Sequence, residues 1–167
     1  SLTENTTQAN LCNTFIDDII NRVIVQGSWS TTIYRAKLAQ ISSDPLYGYD
    51  YQYQLPTTPK CLRVLDINDD NVVDYRIEED NLLTDDDEVY LRYIGIPSTT
   101  DNLGPLLTEC IEILLASYLA YPVTANASLA QSLREEYQRV LFNNLALDGQ
   151  QGSQESCGNS DLIDIRL

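Results

Sequence analysis

GPLLTECIEILLASYLAYP, residues 104–122, decides the fold. Gly104-Pro105 opens a helix, with Pro at the first helical position, where its missing N–H goes unneeded. Leu106, Leu107, Ile111, Ile113, Leu114, Leu115, Tyr118 and Leu119 then cover nearly every face. A helix apolar all round belongs in the middle of a fold, so the remaining elements are expected to pack around it. Pro122 is expected to end it. Residues 106–121 include Glu109 and Glu112 and fall short of the ~20 residues that a membrane span needs. No membrane partner is expected.

Two amphipathic helices are available to cover this one. Over residues 7–26, Leu11, Cys12, Phe15, Ile16, Ile19, Ile20 and Val23 recur at three- and four-residue spacing, the period of a helix with one apolar face. Gly27 is a stop signal, and Trp29 is expected to anchor the core just beyond it. A third helix starts after Asn126, a good N-cap, and runs through Leu129, Leu133, Tyr137, Val140, Leu141 and Leu145 to Asp148-Gly149.

The middle of the chain changes period. Residues 32–41 read as a strand or a short helix. Tyr47, Tyr49, Tyr51 and Tyr53 alternate with Gly48, Asp50 and Gln52, which places four tyrosines on one side of a strand. Residues 60–67 and 72–77 read as strands joined in a hairpin by Asn68-Asp69-Asp70-Asn71. Residues 81–84 and 89–94 read as a second hairpin around Asp85-Asp86-Asp87-Glu88. The expected class is α+β: mainly a helical bundle of three or more helices, with an antiparallel β-sheet or hairpin insertion between the first helix and the later ones. Residues 1–149 form one domain, and 150–167 a flexible linker and C-terminal arm. That arm, Leu162, Ile163, Asp164, Ile165, Arg166 and Leu167, has the alternation of a segment that adds a strand to a partner.

Composition narrows the function. The 167 residues carry 10 bases against 25 acids, a formal charge of −15, and no His. Tight grip on nucleic acid needs clustered Lys and Arg to neutralise phosphates, and imidazole-dependent nucleophiles, metal sites and proton shuttles are excluded outright. No GxGxxG, Walker A, GxSxG or HExxH pattern is present, so no enzyme activity and no cofactor are expected. The four cysteines are too scattered for a CxxC motif and are read as core thiols. Residues 66–88 hold 11 of the 25 acids with the single base Arg76. Asp66, Asn68, Asp70 and Asp74 approach the spacing of a calcium loop, but Asn71 and Ile77 stand where such a loop needs Gly and Glu, so no metal site is expected. Asp69, Asp70, Asp85, Asp86, Asp87 and Glu88 are instead expected at exposed tips that face a channel or a partner. A competing class, an extracellular calcium- or glycan-binding module, rests on that acidic stretch, on the tyrosines and on the triplets Asn5-Thr6-Thr7 and Asn126-Ala127-Ser128.

The order of the pieces carries a resemblance. LCNTFID (11–17), Trp29, YRAKLAQ (34–40), YGYDYQYQLPTTPKCLRVLDI (47–67), EEDNLLTDDDEVYLRYIG (78–95), ASYLAYPVT (116–124) and AQSLREEYQRVL (130–141) follow one another. This resembles the tail tubular protein A, or head-to-tail adaptor, family of short-tailed double-stranded DNA bacteriophages over residues 7–149. The acidic loops depart from the family pattern, and relatives usually carry another helix ahead of the SLTENTT segment. The resemblance implies a structural virion protein, assembled from the host cytoplasm, that forms a ring, usually dodecameric, below the portal. Such a ring extends the DNA channel, lets double-stranded DNA pass without specific binding, and offers a surface to the tail nozzle or tail tube protein. Each contact in a ring is heterologous, so two different faces of the subunit are expected to be apolar. Residues 162–167 are expected to dock on the portal or on a neighbouring subunit.

Overall fold

A computed structural model describes residues 6–69, 73–99 and 102–152. It is α+β. Helix α1 (Thr7–Gln26) is followed by strands β1 (Ile33–Lys37), β2 (Tyr51–Gln54), β3 (Cys61–Ile67), β4 (Tyr75–Glu78), β5 (Asn81–Thr84) and β6 (Tyr90–Gly95), then by helices α2 (Pro105–Thr124) and α3 (Ala127–Asp148). The C-terminal arm lies outside the described residues, as do Asp70 and Cys157.

The helix ends show why these segments are helical. Thr6 caps α1, its hydroxyl oxygen accepting from the Ala9 N–H at 3.2 Å, and Asn126 caps α3 by accepting from the Leu129 N–H at 3.0 Å. Each satisfies an N–H that the first turn leaves without a partner. α1 ends at Gly27, whose backbone is extended, and only glycine fits there: a Cβ would lie 2.3 Å from Leu145 and 2.8 Å from the Trp29 indole nitrogen. Trp29 fills the gap, 1% exposed, and its indole N–H donates to the Val23 carbonyl at 3.0 Å. Gly104 has φ 72, a conformation that costs a residue with a Cβ more than glycine.

Pro122 does not end α2, which runs on to Thr124. The missing N–H costs one bond so near the terminus, and the last turn is secured otherwise. The Ala125 N–H donates to Tyr121, and the Thr124 hydroxyl donates to Ala120. At 20 residues and a mean hydropathy of 1.4, α2 is therefore long and apolar enough to cross a membrane, where the shorter sequence reading fell short. Here Leu107, Cys110, Ile111 and Leu114 of α2 join a core with Ile19, Val23 and Ile24 of α1, Trp29, and Tyr137 of α3. Asn144, buried on α3, donates to the Leu106 carbonyl and to Glu109 and ties the two helices together.

The strands lie where the sequence predicts strands, but they choose other partners. Sheet A has the order β1-β6-β3 and sheet B the order β2-β5-β4, all antiparallel. Among the described residues, β4 and β5 are the consecutive strands that bond to each other, turning at Glu79-Asp80, where Glu79 has φ 54. The expected hairpins around 68–71 and 85–88 are instead crossings between the sheets: β3 leads to β4 and β5 returns to β6. Asn68 is the reason. Its Nδ2 donates to Asp86 at 2.6 Å and to the Glu88 carbonyl at 3.0 Å, and its Oδ1 accepts from the Tyr90 N–H at 2.8 Å. The residue expected to turn a hairpin stitches the two loops together.

Sheet A sits between the helices and sheet B. Along β6, Ile94 joins the helical core, while Leu91 and Tyr93 join a second core with Tyr53, Ile67, Leu82 and Val89. The tyrosine alternation holds only in part. Gly48, at φ 90, breaks the run; Tyr51 and Tyr53 pack into the second core, while Tyr47 stays 83% exposed.

Candidate functional site

Strict alternation on β1 and β6 builds the most defined recess. Arg35 pairs in register with Arg92, and Lys37 with Tyr90, on the face of sheet A opposite Leu91 and Tyr93. Leu38 N–H bonds to the Val89 carbonyl, so even-numbered β1 residues bond across to β6. Arg35 and Arg92 are therefore a non-hydrogen-bonded pair, the arrangement that brings side chains closest. Two like charges directly opposite are unfavourable. Asp66, 5% exposed on β3, relieves this by accepting from the Arg92 Nε. Together with Asn68, Asp69 and Glu88 these residues line a cleft of about 660 Å³.

The charges of the cleft balance, and two ion pairs leave Arg35 and Asp69 without one among the described residues. The Lys37 ammonium donates to Glu88 at 2.6 Å and lies 5.2 Å from the centre of the Tyr90 ring. The hydrogen bond from Lys37, followed by that from the Tyr90 hydroxyl, holds the Glu88 carboxyl below its ordinary range. The same contacts, Glu88 first, raise the Lys37 ammonium. With Asp66 taken by Arg92 and Glu88 by Lys37, Arg35 is exposed and has no ion pair among the described residues. The planar Arg35 guanidinium can pair with a carboxylate, with Asp69 lining the same cleft.

The predicted acidic residues are drawn into structure to different degrees. Asp85 accepts the Asp50 N–H at 3.0 Å, Asp86 accepts from Asn68, and Glu88 belongs to the cleft. Asp69, at φ 55, and Asp87 are exposed. The calcium-like spacing is not realised as a ligand set: Asp66 is committed to Arg92, and among the described residues no group of three or more potential ligands gathers. Cys12, Cys61 and Cys110 are free thiols. Cys110 is fully buried as expected of a core thiol, whereas Cys12 and Cys61 are half-buried, and burial pushes the Cys61 thiol up to about 11.

The residues that sequence reasoning missed are Arg35, Lys37 and Arg92. Their signal was in plain view, as R-x-K in YRAK and R in YLRY, at the two-residue period that puts alternate side chains on one face. What hid it was the pairing of β1 with β6, which are far apart in the chain.

A second recess lies on the outer face of sheet B. Gln52, Leu83 and Arg76 form a cross-strand row there, on the side away from Tyr53 and Leu82. The 44–49 loop folds beside it, and Asp44, Leu46, Tyr47, Glu78 and Glu79 line a cleft of about 410 Å³. Leu46 is 99% exposed. On the helices, Tyr121, Val123, Phe142 and Leu147 are also exposed. A further basic place surrounds Tyr118, whose hydroxyl accepts from Arg22 at 2.6 Å and whose ring lies 5.8 Å from Arg134. Compared with known families and with curated proteins, the chain matches no family model and no curated sequence.

Proposed function

We propose that this protein is a structural subunit of a head-to-tail adaptor ring, seated below a phage portal, where it extends the DNA channel and connects capsid to tail. The observation that carries the reading is the separation of its exposed apolar residues. Leu46 and Tyr47 stand beyond sheet B, while Tyr121, Val123, Phe142 and Leu147 stand on the helices. Exposed apolar side chains mark interaction sites where they gather into a patch, and Leu46 and Tyr47 are adjacent in the chain. A closed ring needs two non-identical faces on every subunit, and a connector needs a further surface for the assemblies above and below it.

The charge fits the same role. A strongly acidic subunit lets double-stranded DNA slide past without gripping it, and Asp69 and Asp87 are exposed where they can face such a lumen. The partners are further copies of the chain, the portal, and the nozzle or tail tube protein. The location is the head-to-tail interface of the virion.

Native mass spectrometry of the protein alone and mixed with its portal ring, with and without calcium, tests this. Rings, or a large portal-bound complex indifferent to calcium, are the expected result. A monomer that ignores the portal and takes up calcium would replace this reading with the calcium-binding module.

A further inference from the structure

A cleft of about 430 Å³ lies among the three helices, with Arg22 of α1, Tyr118 of α2 and Arg134 of α3 in its wall. The two guanidiniums lie 5.7 and 5.8 Å from the centre of the Tyr118 ring, and Arg22 donates to its hydroxyl at 2.6 Å. Neither arginine has an ion pair among the described residues, in a chain with 25 acids for 10 bases. The one acid lining the cleft, Glu135, accepts instead from the Gln131 amide at 2.8 Å. Beside it the buried Tyr137 donates to Gln26 and ties α3 to α1. The cleft therefore offers donors on a fixed frame, without an acceptor of matching charge.

Unspent acids gather in sheet B. Glu78, Glu79 and Asp80 are exposed at the β4–β5 turn, and among the described residues their one ion pair, Arg76 with Glu78, is a loose 4.0 Å. Asp85, Asp86 and Glu88, by contrast, are engaged with Asp50, Asn68 and Lys37. Glu79 has φ 54, a conformation that glycine or asparagine adopts more readily. The sequence keeps Glu where the turn by itself favours another residue.

We infer that the helical cleft receives the β4–β5 turn of a second copy, with the Glu79 carboxylate seated between Arg22 and Arg134. A guanidinium grips a carboxylate in its own plane. The two-residue turn holds its acids on a hydrogen-bonded ribbon, which limits the ordering cost of binding. The occupant is a second copy because the charges are complementary: two arginines and one engaged acid in the cleft, three acids and one loosely held base at the turn. Helices and sheet B lie on opposite sides of sheet A, so the contact runs between molecules. Contact between two unlike surfaces is heterologous and propagates head to tail until a ring closes. The inference rests on the ring reading and assigns one contact within it.

Glu79→Gly separates assembly from folding. It relieves the positive φ, so the melting temperature should hold or rise, while self-association by sedimentation and native mass spectrometry should fall about tenfold or more. Arg134→Glu, at an exposed position, should weaken assembly as much with an unchanged circular dichroism spectrum. Adding Glu79→Arg to it in one chain should recover the rings. Rings of wild-type stability in Arg134→Glu would overturn the cleft as the site, and in Glu79→Gly the turn as its occupant; either result leaves the ring reading intact. Single variants that dissociate without recovery in the combined variant would overturn the Arg134–Glu79 pairing. A wild-type protein that never assembles, alone or on the portal, would overturn both readings.

Discussion

The helical core and the core between the sheets hold together on different terms. In the first, Ile19, Val23 and Ile24 come from neighbouring turns of α1, and Leu107, Cys110, Ile111 and Leu114 from neighbouring turns of α2. Each helix brings a ready-made apolar stripe. In the second, strands contribute one or two residues apiece: Tyr53 from β2, Ile67 from β3, Leu82 from β5, Leu91 and Tyr93 from β6. No strand has a stripe worth burying by itself. The consequence is a rigid apolar body on one side and, on the other, a frame whose outward faces are free to carry charge.

The largest break in that contrast should come from Trp29, where the turn after α1 plugs the helical core. Trp29→Ala removes a fully buried ring and its hydrogen bond to Val23, and should cost about 3–5 kcal/mol in a urea unfolding series. A cost near that of a surface substitution would mean that the helices do not depend on this plug.

Next in size is the polar anchor of sheet A. Asp66→Asn keeps the shape but removes the charge that separates Arg92 from Arg35, and should cost about 3 kcal/mol by the same measurement, as breaking a mostly buried ion pair does. If the loss is confined to the β region, amide exchange should rise in β1, β3 and β6 well before it rises in α2. Uniform exchange would show that the two cores unfold as one.

The smallest effect sharpens the comparison at the surface. Lys37 and Glu88 are both exposed, so their pair is weak and screened. Glu88 titrates below its unfolded value of 4.5 in the folded protein, and Lys37 above 10.5. The contribution is therefore present between those values, lost as pH falls through the folded Glu88 value, and lost as pH rises through that of Lys37. The melting temperature of Lys37→Gln should trail the wild type slightly at pH 7 and meet it near pH 3 or in 1 M salt. A gap that persists in acid would place the role of Lys37 in its contact with the Tyr90 ring.

What could be read in the sequence follows from the range of each signal. The helix periodicity of 7–26 and the capping residue Asn126 are local and hold to the residue in the structure. Strand positions are nearly as local, and β3, β4, β5 and β6 fall where alternation places them. Pairing is not local. Asn68-Asp69-Asp70-Asn71 has good turn chemistry, and Asn68 and Asp69 do take positive φ, yet the side chain of Asn68 spends its hydrogen bonds on the 86–90 segment. The sheet A cleft was illegible for the same reason, since Arg35 and Arg92 become neighbours only when β1 finds β6. Pro122 misled in the opposite direction: a rule for helix interiors was applied within the last turn, where one lost bond is readily tolerated.

That β4 and β5 form the one consecutive hairpin among the described residues bears on how the chain reaches its fold. Sheet A cannot close until β1 has met β6, and α1 has little to pack on before α2 exists, so sheet A and the helical core both depend on contacts distant in the sequence. Such topologies form late and slowly, because loop closure must precede any gain from the contact. On a ribosome, sheet B could close as soon as β5 emerges, because β2 precedes it, whereas α1 would wait for α2, whose arrival would be the step that lets the helical core condense.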